Sequence, residues 1–554
     1  MEQNNIDLNS MEQNNATMPE SNMTEEIKPK KKGKKALIII IVVAVVLILA
    51  LGAVYYFTRG KTESKKTKKE IENSEKYTNN YRLSGNGIED FDIKFLTLEN
   101  KKENVVYSPL SIKYTLAMLN EASDKDTKAQ IEALIGDYSS KKYTNSNNIS
   151  LANAMFVKES YKDNINKEYV DKISSKYNAE VVYDKFTNAD TINNWISNKT
   201  FNLINKVFEQ DISSNDFILT NALAIDMQWK NALQHTYGDI SNNPEPYHVS
   251  YAHENAGAYI ATTTQAGEKL DFSGKDVKSQ NIGAAINKYD IIKELGEDKI
   301  KETVNAEYEK WLETDEGISC KEYGCDAFDI DTYIAELKEN YKRLDTSTDF
   351  TFYTDDNIKV FAKDLRQYDG VTLQYIGIMP NKTNLDSYIN DLTAKDLNST
   401  ISKLKKVELG TFEEGKVTII EGSIPLFNFD YKLNLKQDLN ELGVTDVFDS
   451  TKANISKMTK QTGAYITDVD HKATIEFENE GIKAAAVSVA LGSGDGGSGF
   501  DYKFDVPIER INLTFDKPYM FIIIDKESKE VWFAGTVYEP KAYDQDLANK
   551  SWAH

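Results

Sequence analysis

Cysteine is nearly absent: the 554 residues hold two, which excludes a disulfide scaffold and a cysteine-rich zinc module. Histidine is scarce at five residues, leaving few candidates for imidazole chemistry. His248 and His253 beside Glu254 have no zinc-motif spacing, so no metal site is expected. No Ser-His-Asp set stands in a motif context, so no enzyme is expected. Basic charge is outweighed, with 66 Lys plus Arg against 87 Asp plus Glu. The formal net charge of −21 excludes a nucleic-acid-binding body, which needs a basic footprint. Ten prolines, with abundant Asn, Lys and Ile, point to an AT-rich microbial genome. What is plentiful is apolar residues, 40%, and aromatics, 11%, enough to fill a large core.

One long uncharged run stands out. Residues 36–57 span ~30 Å as a helix, the thickness of a bilayer's hydrocarbon layer. Tyr55 and Tyr56 lie where an interfacial aromatic belt belongs. The run reads as a single-pass signal-anchor helix, with a long signal peptide cut near Ala50-Leu51-Gly52 as the competing reading. Residues 1–35 balance six acids with six lysines and read as a disordered cytoplasmic tail. Residues 58–87 read as a charged linker whose first twelve residues carry +5, so residues 70–554 carry −26 of the total −21. The body is thus acidic and the membrane neck basic.

Residues 88–542 have a globular pattern, followed by a tail over 543–554. Ser108 and Pro109 open a helix as cap and first helical residue. Residues 190–208, 292–313 and 331–344 read as helices. Phe217–Met227 reads as a strand buried on both faces. Residues 416–428, 472–478, 509–515, 519–525 and 531–538 read as further strands. Helices and strands mix without regular alternation, which argues an α+β fold.

The segment after Phe477 carries the functional idea. Glu480-Gly481 ends a strand, and every second residue from Ile482 onward (Ala484, Ala486, Ser488, Ala490) is uncharged and mostly small. Such a face can slide between existing strands with little steric penalty. The glycine-rich stretch Gly492–Gly499 that follows reads as exposed and cleavable. Its Gly492, Gly494 and Gly497 spell a nucleotide-loop pattern, but no helix follows, and no cofactor is expected.

Seven strings in order make the chain resemble the serpins: Asn104-Val105-Val106-Tyr107-Ser108-Pro109-Leu110-Ser111-Ile112, Asp126–Ile131, Asn194–Thr200, Leu219-Thr220-Asn221-Ala222 with Trp229 beyond, Leu442–Phe448, Asp470-His471-Lys472-Ala473, and Asp516–Phe521. The resemblance implies a serpin fold with three β-sheets, surrounding helices and an exposed reactive-centre loop at about 481–508. In this family a target serine or cysteine protease cuts the loop and forms an acyl-enzyme. The cut loop then inserts into the main sheet and carries the protease away. Some fifteen inserted residues cover ~50 Å. Their backbone hydrogen bonds are worth on the order of 15 kcal/mol, against ~5–15 kcal/mol for a protease domain.

By the same resemblance, Glu480, Gly481, Ile482, Ala484, Ala485 and Ala486 form the hinge. Ile482 is apolar, which suits burial, but larger than the residue usual there. Counting forward from Gly481 places the scissile bond at Asp495-Gly496. The stretch from Gly481 to Pro518 is about a dozen residues longer than the family norm, and Lys503, Phe504 and Arg510 are exposed runners-up. Ser111, Asn221 and His471 match a polar cluster that gates sheet opening, and Trp229 matches the point of loop entry. Residues 270–345 exceed what the family needs and read as an insertion with charged helices. Within it, Cys320 and Cys325 read as a small loop-closing disulfide. The expectation is an inhibitor tethered outside the cell through residues 36–57, with no nucleic-acid partner. The alternative is a non-inhibitory serpin-fold binding or adhesion protein.

Overall fold

The computed structural model describes residues 77–543, apart from 86, 210, 232–267, 325–327, 347, 348, 468, 470, 480, 483–499, 501 and 503. The run at 36–57 lies outside them. Among the described residues no helix is long and apolar enough to cross a membrane.

Helix α1 (Pro109–Ala122) starts as its sequence dictates: the Ser108 side chain accepts from the Ser111 N–H at 3.1 Å, and Pro109 occupies the first turn. It is buried on nearly every side. Strands β1 (Ile149–Lys158), β2 (Ala179–Asp184) and β3 (Phe217–Ile225) follow, and β4 (Met227–Gln228) continues β3 after a break at Asp226 alone. Next come β5 (Glu268–Phe272) and β6 (Lys275–Asn287), then helices α2 (Ile291–Leu295), α3 (Glu297–Trp311), α4 (Asp315–Tyr323) and α5 (Ile330–Asn340). Later elements used below are β7 (Val417–Pro425), β8 (Phe427–Leu433), β9 (His471–Phe477), β10 (Gly481–Ile482) and β11 (Ile508–Asn512).

Three differences from the sequence reading emerge, the first two with backbone causes. The helix expected over 190–208 ends at Lys199, because Phe201 and Asn202 take positive φ of 54° and 61°. The helix expected over 292–313 is cut in two at Gly296, whose φ of 83° suits glycine. The expected insertion at 270–345 is not uniform. Its β6 is paired with β7 over Ser279–Asn287, and only α2–α5 stand apart as added helices. Cys320 is disulfide-bonded, and Cys325, the chain's other cysteine, lies outside the described residues.

By hydrogen bonding there are four sheets among the described residues where three were expected. A seven-stranded sheet runs from Val105–Tyr107 through Val531–Val537, Tyr519–Asp525 and Leu373–Pro380 to Lys405–Lys406. A five-stranded sheet has the order β11-β7-β6-β5, with Arg343–Thr346 also on β6. The other two, β2-β1-β3 and β8-β9-β10-β4, share one continuous chain through β3 and β4. They are halves of one surface, split because no ladder joins β3 to β9 among the described residues.

The apolar core is divided as well. Alternate residues of β7 face opposite ways, as strand geometry requires. Ile420 and Ile424 enter the main core, while Val417 and Ile419 enter a second one with α2, α3 and α5.

Candidate functional site: a split sheet and its hinge

The turn after β9 is a tight hairpin. Phe477 pairs with Ile482, and the Glu478 N–H donates to the Gly481 carbonyl at 3.0 Å. On its other side β10 pairs with β4, Gly481 against Gln228 and Ile482 against Met227. Gly481 is required by proximity: a Cβ there would lie 2.2 Å from the Met227 carbonyl oxygen and 2.7 Å from the Gln228 Cα. Ile482 is only 2% exposed. The large apolar residue expected at the first inserting position is therefore buried and paired on both sides.

Trp229 is fully buried beside this hairpin and holds it. Its Nε1 donates to the Glu478 carbonyl at 2.9 Å, and its ring meets Phe477 edge-on at 5.3 Å. Lys541 ion-pairs with Glu478 on the same turn and lies 3.7 Å from Glu476. Sequence reasoning missed Lys541, which reaches the hinge from the far end of the chain.

Below Ile482 a cavity of about 250 Å³ lies between Leu223–Ile225 of β3 and Thr474–Glu476 of β9. Ile482 is part of its lining, with Ile523 and Phe533 of the seven-stranded sheet. Strand β9 carries a full ladder on its β8 edge, but on the other edge only Phe477 is paired among the described residues. A segment continuing β10 downward would meet the open edge of β9 on one side and β3 on the other. The arrangement can accept one more strand, antiparallel to both.

The polar cluster is divided across this cleft. On the β9 side, the Ser108 N–H donates to His471 Nε2 at 2.9 Å, and Ser111 is tied to Ser108. His471 is 7% exposed, and burial pushes its pKa down to about 4, so it is neutral. On the β3 side, Asn221 donates to Asn153 Oδ1 at 2.6 Å, and Asn153 donates to the Tyr177 carbonyl at 2.8 Å. The structure thus joins Ser111 to His471 through Ser108 and pairs Asn221 with Asn153 instead. Ser108 was legible as a helix cap, but not as the donor to His471. Asn153 became visible only through its register opposite Asn221.

Of the remaining site residues, Glu480, Ala484, Ala485, Ala486, Asp495, Gly496 and Lys503 lie outside the described residues. Phe504, expected to be exposed, is 7% exposed: it packs into the second core. Arg510 keeps a partly exposed side chain, ion-paired with Glu421, but its backbone is in β11, paired in parallel with β7.

Among the described residues these features define a class: a protein whose main sheet has no ladder between β3 and β9 and a short strand, β10, set between β9 and β4 at one end. Comparison with known proteins agrees. A family model described as Serpin (serine protease inhibitor) matches residues 93–251 and 338–540, and the chain belongs to the serpin family. It is 23% identical over 485 residues to an uncharacterized serpin-like protein of Methanosarcina acetivorans, covering 83% of this chain and 86% of that protein. The fold is similar to the native state of tengpin, a thermophilic serpin, with a TM-score of 0.53 and 21% identity over 84% of this chain and 98% of that one. It is also similar to thyroxine-binding globulin in complex with thyroxine, with a TM-score of 0.51 and 15% identity over 82% and 98% of the two chains. The stretch between the two matched segments contains helices α2–α4 and most of α5.

Proposed function

We propose that this protein is a suicide-type inhibitor of a serine or cysteine protease, tethered at the outer face of a membrane by residues 36–57. The observation that carries the reading is Ile482 seated at the mouth of an open cleft between β3 and β9. The target's nucleophile attacks the carbonyl carbon of the scissile residue, proposed as Asp495. The peptide bond breaks, the Gly496 amine leaves with a proton, and Asp495 is held as an ester or thioester. The segment beyond Ile482 then continues β10 into the cleft. A position close to Asp495 keeps the segment before the cut short, so full insertion pulls the protease tight and stalls hydrolysis.

The test mixes the chain with a protease panel that includes an Asp-specific enzyme. A denaturant-stable high-mass band and a released fragment beginning at Gly496 are expected. Cleaved chain alone, with every protease fully active, would sink the inhibitor reading. The second reading is a serpin-fold binding protein, under which cleavage would produce no trap.

A further inference from the structure

Two segments of this chain stand out against the family: the helices that follow β6, most of which fall outside the matched residues, and the stretch between Gly481 and Pro518, expected above to exceed the family norm. The structure packs the described end of the second, from Phe500 onward, against the first. Helices α3 and α5 are bridged by Lys338 to Glu297 at 2.8 Å and Lys301 to Asp331 at 2.7 Å. Their apolar faces, with Ile300, Val304, Ile334 and Leu337, share a core with Val417 and Ile419 of β7. Into that core go Phe500 and Phe504, 8% and 7% exposed.

The contacts are specific. The Phe500 ring lies 5.0 Å from Tyr308, 5.5 Å from Trp311 and 4.9 Å from Phe328. The Tyr333 hydroxyl donates to the Tyr502 carbonyl at 2.5 Å. Tyr502 meets Phe504 edge-on at 4.9 Å. The Val417 N–H then donates to the Pro507 carbonyl at 2.9 Å, and β11 begins. A protease must draw its substrate out as an extended strand and fill its pocket with a side chain. Phe500, Tyr502 and Phe504 would suit an aromatic-specific enzyme, yet their rings and the Tyr502 carbonyl are engaged here.

We propose that α2, α3 and α5, with Phe328, are a clamp that withdraws Phe500, Tyr502 and Phe504 from proteolysis and so sets the C-terminal limit of the bait segment. Tyr308, Trp311, Phe328 and Tyr333 are its specificity-determining residues. Its purpose rests on the inhibitor reading. A cut after Phe504 instead of Asp495 would add nine residues before the acyl link, ~30 Å of slack in extended chain. The protease would not be pulled tight, and the inhibitor would be spent as a substrate.

The experiment is limited digestion of the full chain with chymotrypsin, with fragments identified by intact mass. In the wild type, no fragment begins at 501, 503 or 505. In Tyr308→Ser/Trp311→Ser, cuts after Phe500, Tyr502 and Phe504 appear at least tenfold faster, while β1 and the seven-stranded sheet stay uncut. Wild-type cleavage after Phe504 or Tyr502 at the variant's rate would overturn the clamp, as would a folded variant with no new cuts. If the double variant unfolds and is cut throughout, Tyr333→Phe decides. It removes one hydrogen bond, and faster amide exchange confined to the chain around Tyr502 is expected, whereas unchanged exchange there would overturn the clamp. The fragment map is read without any covalent complex, so a failed inhibitor reading leaves this test intact.

Discussion

At the scale of single residues, His471 makes the sharpest prediction. Its folded pKa, about 4, is below the ordinary value of 6.5 because burial disfavours the charged ring. The sign follows: its contribution is complete above pH ~6.5 and is lost as pH falls toward 4, by at most about 3 kcal/mol. An imidazolium also cannot accept the Ser108 N–H. Melting temperature should therefore drop on acidification from pH 7 to 4.5 more steeply in the wild type than in His471→Gln. Parallel acid limbs would remove His471 from the account. Motif order made His471, Trp229 and Gly481 legible in the sequence, because each carries a residue type its position demands. Lys113 and Asp92 were not. They are fully buried and paired at 2.6 Å, and burial raises Asp92 to about 6 against the pull of Lys113. A lysine inside a helix reads as a solvated position until tertiary packing closes over it.

At the scale of elements, the hinge hairpin depends on one missing methyl. In Gly481→Ala the new Cβ would collide with backbone of β4, which cannot move as a flexible side chain can. β10 should leave its seat and expose Ile482, weakening the protein by about 1.5–3 kcal/mol for the lost burial. Amide exchange at Met227 and Gln228 should accelerate in step. Unchanged exchange with unchanged stability would mean the hairpin does not hold the hinge. Strand positions were legible because buried strands announce themselves as apolar runs, as Phe217–Ile225 does. The split between β3 and β9 was not readable, since it is a property of which edges fail to pair. The helices of the added segment were foreseen, but their target was not: Phe500 and Phe504 read as loop residues because nothing local shows a core 160 to 200 residues back in the chain.

For the whole molecule, the inhibitor reading requires that the intact fold is not the most stable arrangement of the chain. Filling the cleft adds roughly fifteen ladder hydrogen bonds, on the order of 15 kcal/mol. Cutting the loop should therefore raise the melting temperature by on the order of 20 °C, read by calorimetry on intact and nicked chain. Equal melting temperatures would favour the binding protein instead. The acidic body and its large core followed from composition, whereas the division of that core did not. It arises where β7 is covered on both faces, by the main body and by α2, α3 and α5.

Under the inhibitor reading, the seated Ile482 also bears on timing. An acyl-enzyme can be resolved by water or by the closing sheet, and the faster process decides whether the target escapes. Starting a strand is slower than extending one, and here the start precedes the encounter. Each ~1.4 kcal/mol removed from the barrier to closing shifts that contest tenfold. Under that reading a single side chain placed in advance would determine how many inhibitor molecules are spent for each protease caught.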